Sequence, residues 1–276
     1  MFSDDELLEK LVLKGGNALD LALCVTTRAS LDLDFSIEQA FASAELAGIR
    51  TRIEYRLQQA FTPAGYTVFD VTLAEKPEHV TPDLAEFWGG YELQFKLIHT
   101  TTLGELGGRL EDIRRNAIAV GPRNRTRFAV DISKFEYCSG KRPLTFDGYT
   151  IYVYTPEMIA CEKLRAICQQ MPEYVEIVKR RPAPRARDFL DIHDTVQQYD
   201  IDLTTVSNRQ LLANIFAAKR VPLVLLTRIH EQREFHRQDW PAVEATVRPG
   251  VGLKPFDHYA DFVIDVVRRL EPFGDV

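Results

Sequence analysis

The stretch Lys14-Gly-Gly-Asn-Ala-Leu19, followed by Arg28-Ala-Ser-Leu-Asp-Leu-Asp-Phe35, decides how this chain is read. Leu31, Leu33 and Phe35 alternate with Asp32 and Asp34, the period of a strand with one apolar and one acidic face. Just upstream, Leu11-Val-Leu13 predicts a brief strand, Lys14-Gly15-Gly16 a turn, and Asn17 the cap of a short helix carrying Leu19, Leu21 and Leu23. Two carboxylates at i and i+2 on a strand project side by side, roughly 6.5–7 Å apart at Cα. Such a pair can bracket Mg2+, a hard cation that takes carboxylate oxygens together with substrate phosphates. A glycine turn opening a helix presents backbone N–H groups to a phosphate. Neither piece is specific alone. Asp200-Ile-Asp202 repeats the acidic spacing in an interhelical loop, and most Gly-Gly pairs are only turns. What gives the stretch weight is that turn, helix and acidic strand all fall within residues 14–34.

Outward from there, Ser3-Asp-Asp-Glu6 predicts a capped N-terminal helix, and Ser36-Ile-Glu-Gln39 predicts another whose stripe runs Phe41, Ile49, Ile53, Leu57 up to Gly65. Strands are expected at Thr67–Leu73, Tyr91–Ile98, Arg127–Ser133 and Tyr149–Tyr154, with a helix over Leu103–Ala119 weakened at Gly107 and Gly108. Thr155-Pro156 supplies an N-cap and first-turn proline for a helix through Gln170. Beyond it, Val178–Arg187 reads as a loop, followed by helices near Asp188–Gln198, Ser207–Ala218, Pro222–Phe235, Pro241–Val247 and Pro255–Leu270. The expected class is therefore α/β (α+β): residues 1–154 forming a domain with a mixed sheet flanked by helices, and residues 155–276 a helical domain completing a cleft.

Composition narrows the function. The 276 residues are 45% hydrophobic and 27% charged, enough for a substantial core. Lys+Arg 34 against Asp+Glu 40 gives a net charge of −6, which argues against a generally basic coat for nucleic acid. Cys24, Cys138, Cys161 and Cys168 contain no C-x-x-C pair, so no zinc knuckle or disulfide framework is signalled. The longest uncharged run, Leu57–Phe69, is too short and polar to span a membrane, and the acidic N-terminus has no signal-peptide pattern. The expectation is a soluble cytoplasmic protein.

Two further places can carry chemistry. Asp131 lies on a strand with Phe128, Val130 and Ile132, where a third carboxylate beside Asp32 and Asp34 would complete a two-metal site for phosphoryl transfer. Lys163 and, downstream, Asp188 and Asp191 sit in helices, where charges are usually solvated; the i, i+3 acids can simply support a helix N-terminus. His230 and His236 are six apart, on different faces of a helix, and do not make a zinc motif. His193 is better read as packed or exposed than as a site residue.

The segments LVLKGGNAL (11–19), RASLDLDFSI (28–37), RFAVDIS (127–133), YTPEMIACEKLRAI (154–167) and RARDFLDI (185–192), in that order, resemble the AbiEii/AbiGii toxin nucleotidyltransferases. These are relatives of the MenT toxins in the DNA polymerase β superfamily, and the resemblance covers about residues 10–198. It implies Asp32, Asp34 and Asp131 as metal ligands, with Glu92 a competitor for the third place. It implies Lys14, Gly15, Gly16 and Ser30 around a triphosphate, Lys163 at a phosphate or the transition-state charge, and Asp188 holding the site from the helical half. KRRPAPRAR (179–187) lengthens the interval between Lys163 and Arg187 relative to the family.

The implied activity is transfer of NMP from an NTP to an acceptor hydroxyl, on the 3′ end of tRNA or on a protein. It would use Mg2+ in a two-ion site, with Mn2+ as a substitute. The implied role is the toxin of a toxin–antitoxin pair with a cognate antitoxin, acting as a monomer away from membranes. Two basic stretches, Arg109–Arg127 and Lys179–Arg187, would suit an RNA backbone if they border the cleft. Two other readings compete. An inactive nucleotidyltransferase-like binding module would not need intact carboxylates. A nucleotide-sugar glycosyltransferase also uses Asp-x-Asp, but too few residues precede Asp32 for its usual nucleotide-binding unit.

Overall fold

A computed structural model of the chain describes residues 5–22, 33–120, 124–146, 148–248, 250 and 252–270. Ser30, Leu31, Asp32 and Ser3 therefore lie outside the described residues, as do Cys24 and Arg123.

The chain opens with α1 (Asp5–Lys10), β1 (Val12–Lys14) and α2 (Gly15–Asn17), which runs on as a π turn over Ala18–Ala22. Then come β2 (Leu33–Ser36), α3 (Leu46–Phe61), β3 (Tyr66–Lys76), β4 (Gly90–His99), α4 (Thr100–Glu105), α5 (Leu110–Arg115) and β5 (Phe128–Ser133). A hairpin of β6 (Arg142–Phe146) and β7 (Tyr149–Val153) leads into α6 (Pro156–Cys168), α7 (Pro172–Val178), α8 (Ala186–Tyr199) and α9 (Val206–Ala218). A 3-10 segment over Leu223–Gln232, α10 (Arg233–Arg237), α11 (Trp240–Glu244) and α12 (Phe256–Leu270) complete it.

One seven-stranded sheet, in the order β3-β4-β5-β2-β1-β7-β6, organises the first half. It is mixed: β2 runs parallel to β5 and β1 parallel to β7, while every other pairing is antiparallel. The register matters for function. Asp34 on β2 faces Lys14 on β1 and Asp131 on β5, and Asp131 faces Glu92 on β4. Residues directly opposite in a sheet share a face, so Lys14, Asp34, Asp131 and Glu92 form one polar row across four strands.

Beneath the helical half, α6 is buried along nearly its whole length and packs on α8 and α9, with α12 against α8. Thr155 starts α6 as expected: its hydroxyl accepts the Met158 N–H at 3.3 Å, and Pro156 follows at the first turn. The hydrophobic core runs continuously from Leu13, Phe35 and Ile132 in the sheet to Leu164, Phe189 and Val263 in the helices.

Several expectations are corrected. Gly15 begins a helical segment directly from β1, with φ +70, so there is no separate turn before an Asn17 cap. Ser36 does not cap a helix; it ends β2, its hydroxyl accepts from the Tyr154 OH at 2.8 Å, and α3 starts only at Leu46. Leu33 is 37% exposed at the start of β2 and does not share the burial of Phe35. The helix expected over Leu103–Ala119 is two short helices, because Gly107 and Gly108 both adopt positive φ. β6 and α7 are additional elements. Pro143 in β6 fits an edge strand, where a missing N–H costs no ladder bond. The loop expected over Val178–Arg187 is shorter, since α7 ends at Val178 and α8 begins at Ala186. The stretch Pro222–Phe235 winds mostly as a 3-10 helix. Among the described residues no single helix is long and apolar enough to cross a membrane.

Candidate active site

A cleft of about 800 Å³ is lined both by the polar row of the sheet and by residues of α6 and α8. Lys14, Gly15 and Gly16 reach it from the β1–α2 junction, Asp34 from β2, Asp131 from β5, Lys163 from α6 and Asp188 from α8. Every described residue proposed from sequence for the site, apart from the competitor Glu92, thus lines one cavity. Glu92 is not among its lining residues, although it adjoins Asp131 in the register.

Gly15 is explained by closeness. A Cβ built there would lie 2.7 Å from Oδ2 of Asp34, and the backbone already holds φ +70, so the loop passes under the carboxylate only as glycine. Lys14 lines the cleft but is itself buried; its ammonium donates to Ser133 Oγ at 3.1 Å and to Glu136 Oε1 at 3.3 Å.

Lys163 and Asp188 form the second half. The Lys163 ammonium lies 3.0 Å from Asp188 Oδ1 and 2.7 Å from Asp191 Oδ2, with all three residues buried. Arg185 also pairs with Asp188, through its Nε. Burial alone would raise the Asp188 carboxyl, but the Arg185 guanidinium and Lys163 ammonium outweigh it and hold Asp188 well below the usual carboxylate range. The backbone N–H of Arg185 in turn donates to His236 Nδ1 at 3.0 Å. His236 is fully buried, and burial takes it down to about 4, so it serves as a neutral acceptor that seats the start of α8. His230 is exposed and turned to the Thr227 carbonyl, and His193 packs among His258, Tyr259 and Phe262, outside the cleft.

Sequence reasoning missed a third cluster. Glu136, just after β5, is buried with Arg165 at 2.7 Å, Lys14 at 3.3 Å and Lys219 at 3.6 Å, and all four residues line the cleft. Burial opposes the charge on Glu136, yet Arg165, Lys14 and Lys219 together hold its carboxyl well below the ordinary range. Burial brings Lys219 down to about 8, partly offset by Glu136. A signal for Arg165 was present: Glu162, Lys163 and Arg165 interrupt the apolar run of α6, and charges on a buried helix need partners. Nothing near Lys219 in the sequence announces its role.

The two low carboxyls predict an acid limit. A carboxylate whose folded pKa lies below its unfolded value contributes stability that is complete above the unfolded value and is lost as pH falls through the folded one. Thermal unfolding followed by circular dichroism should therefore show a loss of stability setting in below about pH 4.5. Glu136→Gln should remove up to one proton from that dependence, about 1.4 kcal/mol per pH unit. An acid slope unchanged in Glu136→Gln would contradict the assignment.

The two basic stretches separate. Lys179, Arg180, Arg185 and Arg187 line the cleft. Arg109, Arg114 and Arg115 pair instead with Asp112 and Asp70, and Arg127 donates to Gln94, all away from it.

The family model described as nucleotidyl transferase AbiEii toxin, type IV toxin–antitoxin system, matches residues 1–262. The chain belongs to the AbiEii family. It is thus a member of a family of nucleotidyltransferase toxins from type IV toxin–antitoxin systems. Solved structures of similar shape include a Helicobacter pylori protein provisionally named a nucleotidyltransferase, with 16% identity and a TM-score of 0.47 over 98% of this chain and 92% of that one. A second is JHP933 from Helicobacter pylori, with 16% identity and a TM-score of 0.46 over 96% and 85%. A third is an antigenic nucleotidyltransferase-like protein from Paracoccidioides brasiliensis, with 14% identity and a TM-score of 0.34 over 79% and 88%. Among curated proteins none matches this AbiEii chain significantly.

Among the described residues no group of three or more His, Cys, Asp or Glu converges in metal-holding geometry. The donor chemistry nonetheless suits a hard divalent cation. Asp34 and Asp131 are oxygen donors in register on adjacent strands, and a cation, the Lys76 ammonium, is already held there at 2.8 Å from both Asp131 and Glu92.

Proposed function

We propose that this cleft transfers a nucleoside monophosphate from an NTP to an acceptor hydroxyl, with the 3′ end of a tRNA favoured over a protein hydroxyl. The observation that carries the reading is a single cleft lined by the sheet carboxylates Asp34 and Asp131, by the Lys163–Asp188 pair, and by the cationic segment from Lys179 to Arg187. The two-domain division near residue 154, the monomeric state and the cytoplasmic location belong to the same proposal.

Asp32, Asp34 and Asp131 would hold Mg2+, or Mn2+ in its place. When bound, the metal supplies charge neutralisation at the phosphates and activation of the acceptor hydroxyl. Gly15 and Gly16 would leave room and N–H groups for phosphate oxygens, and Ser30 would join them as the triphosphate's third neighbour. Lys163 acts from within its ion pairs, which fix an ammonium in the cleft and keep Asp188 ionised. Arg180 and Arg187 line the same cavity and suit a polyanionic acceptor, whose affinity comes largely from phosphate contacts. Positioning and charge neutralisation supply most of the catalysis in phosphoryl transfer, so no covalent intermediate is required.

The test is incubation with Mg2+, each α-labelled NTP in turn, and bacterial RNA together with protein extract. The expected product is labelled RNA that ribonuclease removes. Label that resists ribonuclease and yields to protease would replace RNA by a protein acceptor. No label with any NTP would favour the binding-module reading.

A further inference from the structure

Lys76 ends β3, and its register partner on β4 is Gly90, which has no side chain to stand between Lys76 and β5. The lysine reaches past it. Its Nζ lies 2.8 Å from Asp131 Oδ1 and 2.8 Å from Glu92 Oε1, bridging two neighbours of the carboxylate row, and the residue lines the cleft. Unlike the buried pairs of Lys163 and Glu136, this bridge is open to water: the side chains of Lys76 and Asp131 are 53% and 44% exposed. Exposed ion pairs are weak and exchange readily.

We propose that Lys76 is a resident counter-cation of the site: its ammonium holds Asp131 in the metal-free chain and competes with a divalent cation for that carboxylate. The inference rests on the proposed role of Asp34 and Asp131 as metal ligands and adds a residue that sets how tightly they bind. Three physical consequences follow. A metal ion must displace Lys76 from Asp131. A lysine already neutralising Asp131 and Glu92 lets like charges sit in register without a metal. Removing the ammonium should raise metal affinity, whereas removing a residue that merely decorates the surface should leave it unchanged.

The experiment is a titration of the full chain with Mn2+ in the absence of nucleotide, followed by the electron paramagnetic resonance signal of free Mn2+. Wild type is compared with Lys76→Met, Lys76→Arg, Asp34→Ala, Asp131→Asn and the Lys76→Met/Asp131→Asn double variant. Lys76→Met should bind about five- to tenfold more tightly, and Lys76→Arg should bind about as wild type does. The gain should vanish in the Asp131→Asn background, which separates competition at this carboxylate from a general loss of positive charge. Lys76→Gln repeats the test should the Met variant unfold. Equal or weaker binding by Lys76→Met, with wild-type binding still abolished in Asp34→Ala, would overturn the competition and leave the metal site standing. Wild type that binds no Mn2+ would overturn the metal-site reading and the role of Lys76 with it.

Discussion

Asp34→Ala is expected to lower nucleotidyl transfer by at least about a thousandfold, some 4 kcal/mol of transition-state stabilisation, while the protein melts within a few degrees of wild type. The size of the effect follows from the reaction. Charge on the transferring phosphoryl group must be neutralised by fixed positive centres, and the carboxylates are what would fix them. That the fold survives follows from the setting. Asp34 is only partly buried, sits at the cleft, and crowds Gly15 so closely that no other side chain fits beneath it. The measurement is a label-transfer time course beside a melting curve. An active Asp34→Ala protein would remove the acid row from the chemistry.

Lys163→Met should be the most damaging single change to stability outside the hydrophobic core, costing about 3–5 kcal/mol. Methionine replaces the stem well enough, but it removes the ammonium shared by two buried carboxylates, Asp188 and Asp191, which are 1% and 4% exposed. Asp188 keeps Arg185; Asp191 loses an ammonium at 2.7 Å. For a chain of this length the melting temperature should fall by roughly 10 °C. Loss of transfer in Lys163→Met therefore says little about catalysis until measured at a temperature where the variant is folded. The double variant Lys163→Met/Asp191→Asn should recover part of the stability without recovering activity. A Lys163→Met protein as stable as wild type would contradict the buried network.

The sequence made some of this architecture visible and hid the rest for identifiable reasons. Alternation in Leu33–Ser36 and Phe128–Ser133 exposed Asp34 and Asp131 as strand acids, because a strand's period of two can be read locally. What cannot be read locally is that β2 lies between β5 and β1, which is what brings Lys14, Asp34, Asp131 and Glu92 into one row. Lys76 and Glu136 escaped notice for the same reason, since their partners are distant in the chain and depend on strand order. Lys163 and Asp188 were found through the family resemblance. By spacing alone they were ordinary helix charges, and only burial shows them as an ion pair. Ser36 misled because a Ser-x-x-Gln pattern looks the same whether its hydroxyl caps a helix or, as here, accepts from Tyr154. Among the cationic segments, local charge density could not distinguish Lys179–Arg187, several of whose residues line the cleft, from Arg109–Arg115, which is occupied with Asp70 and Asp112.

The central claim is that the α-phosphate is the one transferred, and paired labels test it most directly. Wild-type protein is incubated with Mg2+, RNA and the same NTP labelled at either the α- or the γ-phosphate. Nucleotidyl transfer predicts α-label in the RNA and γ-label released as pyrophosphate. Entry of the γ-label into the acceptor, or α-label absent from every acceptor while the protein is folded, would contradict it.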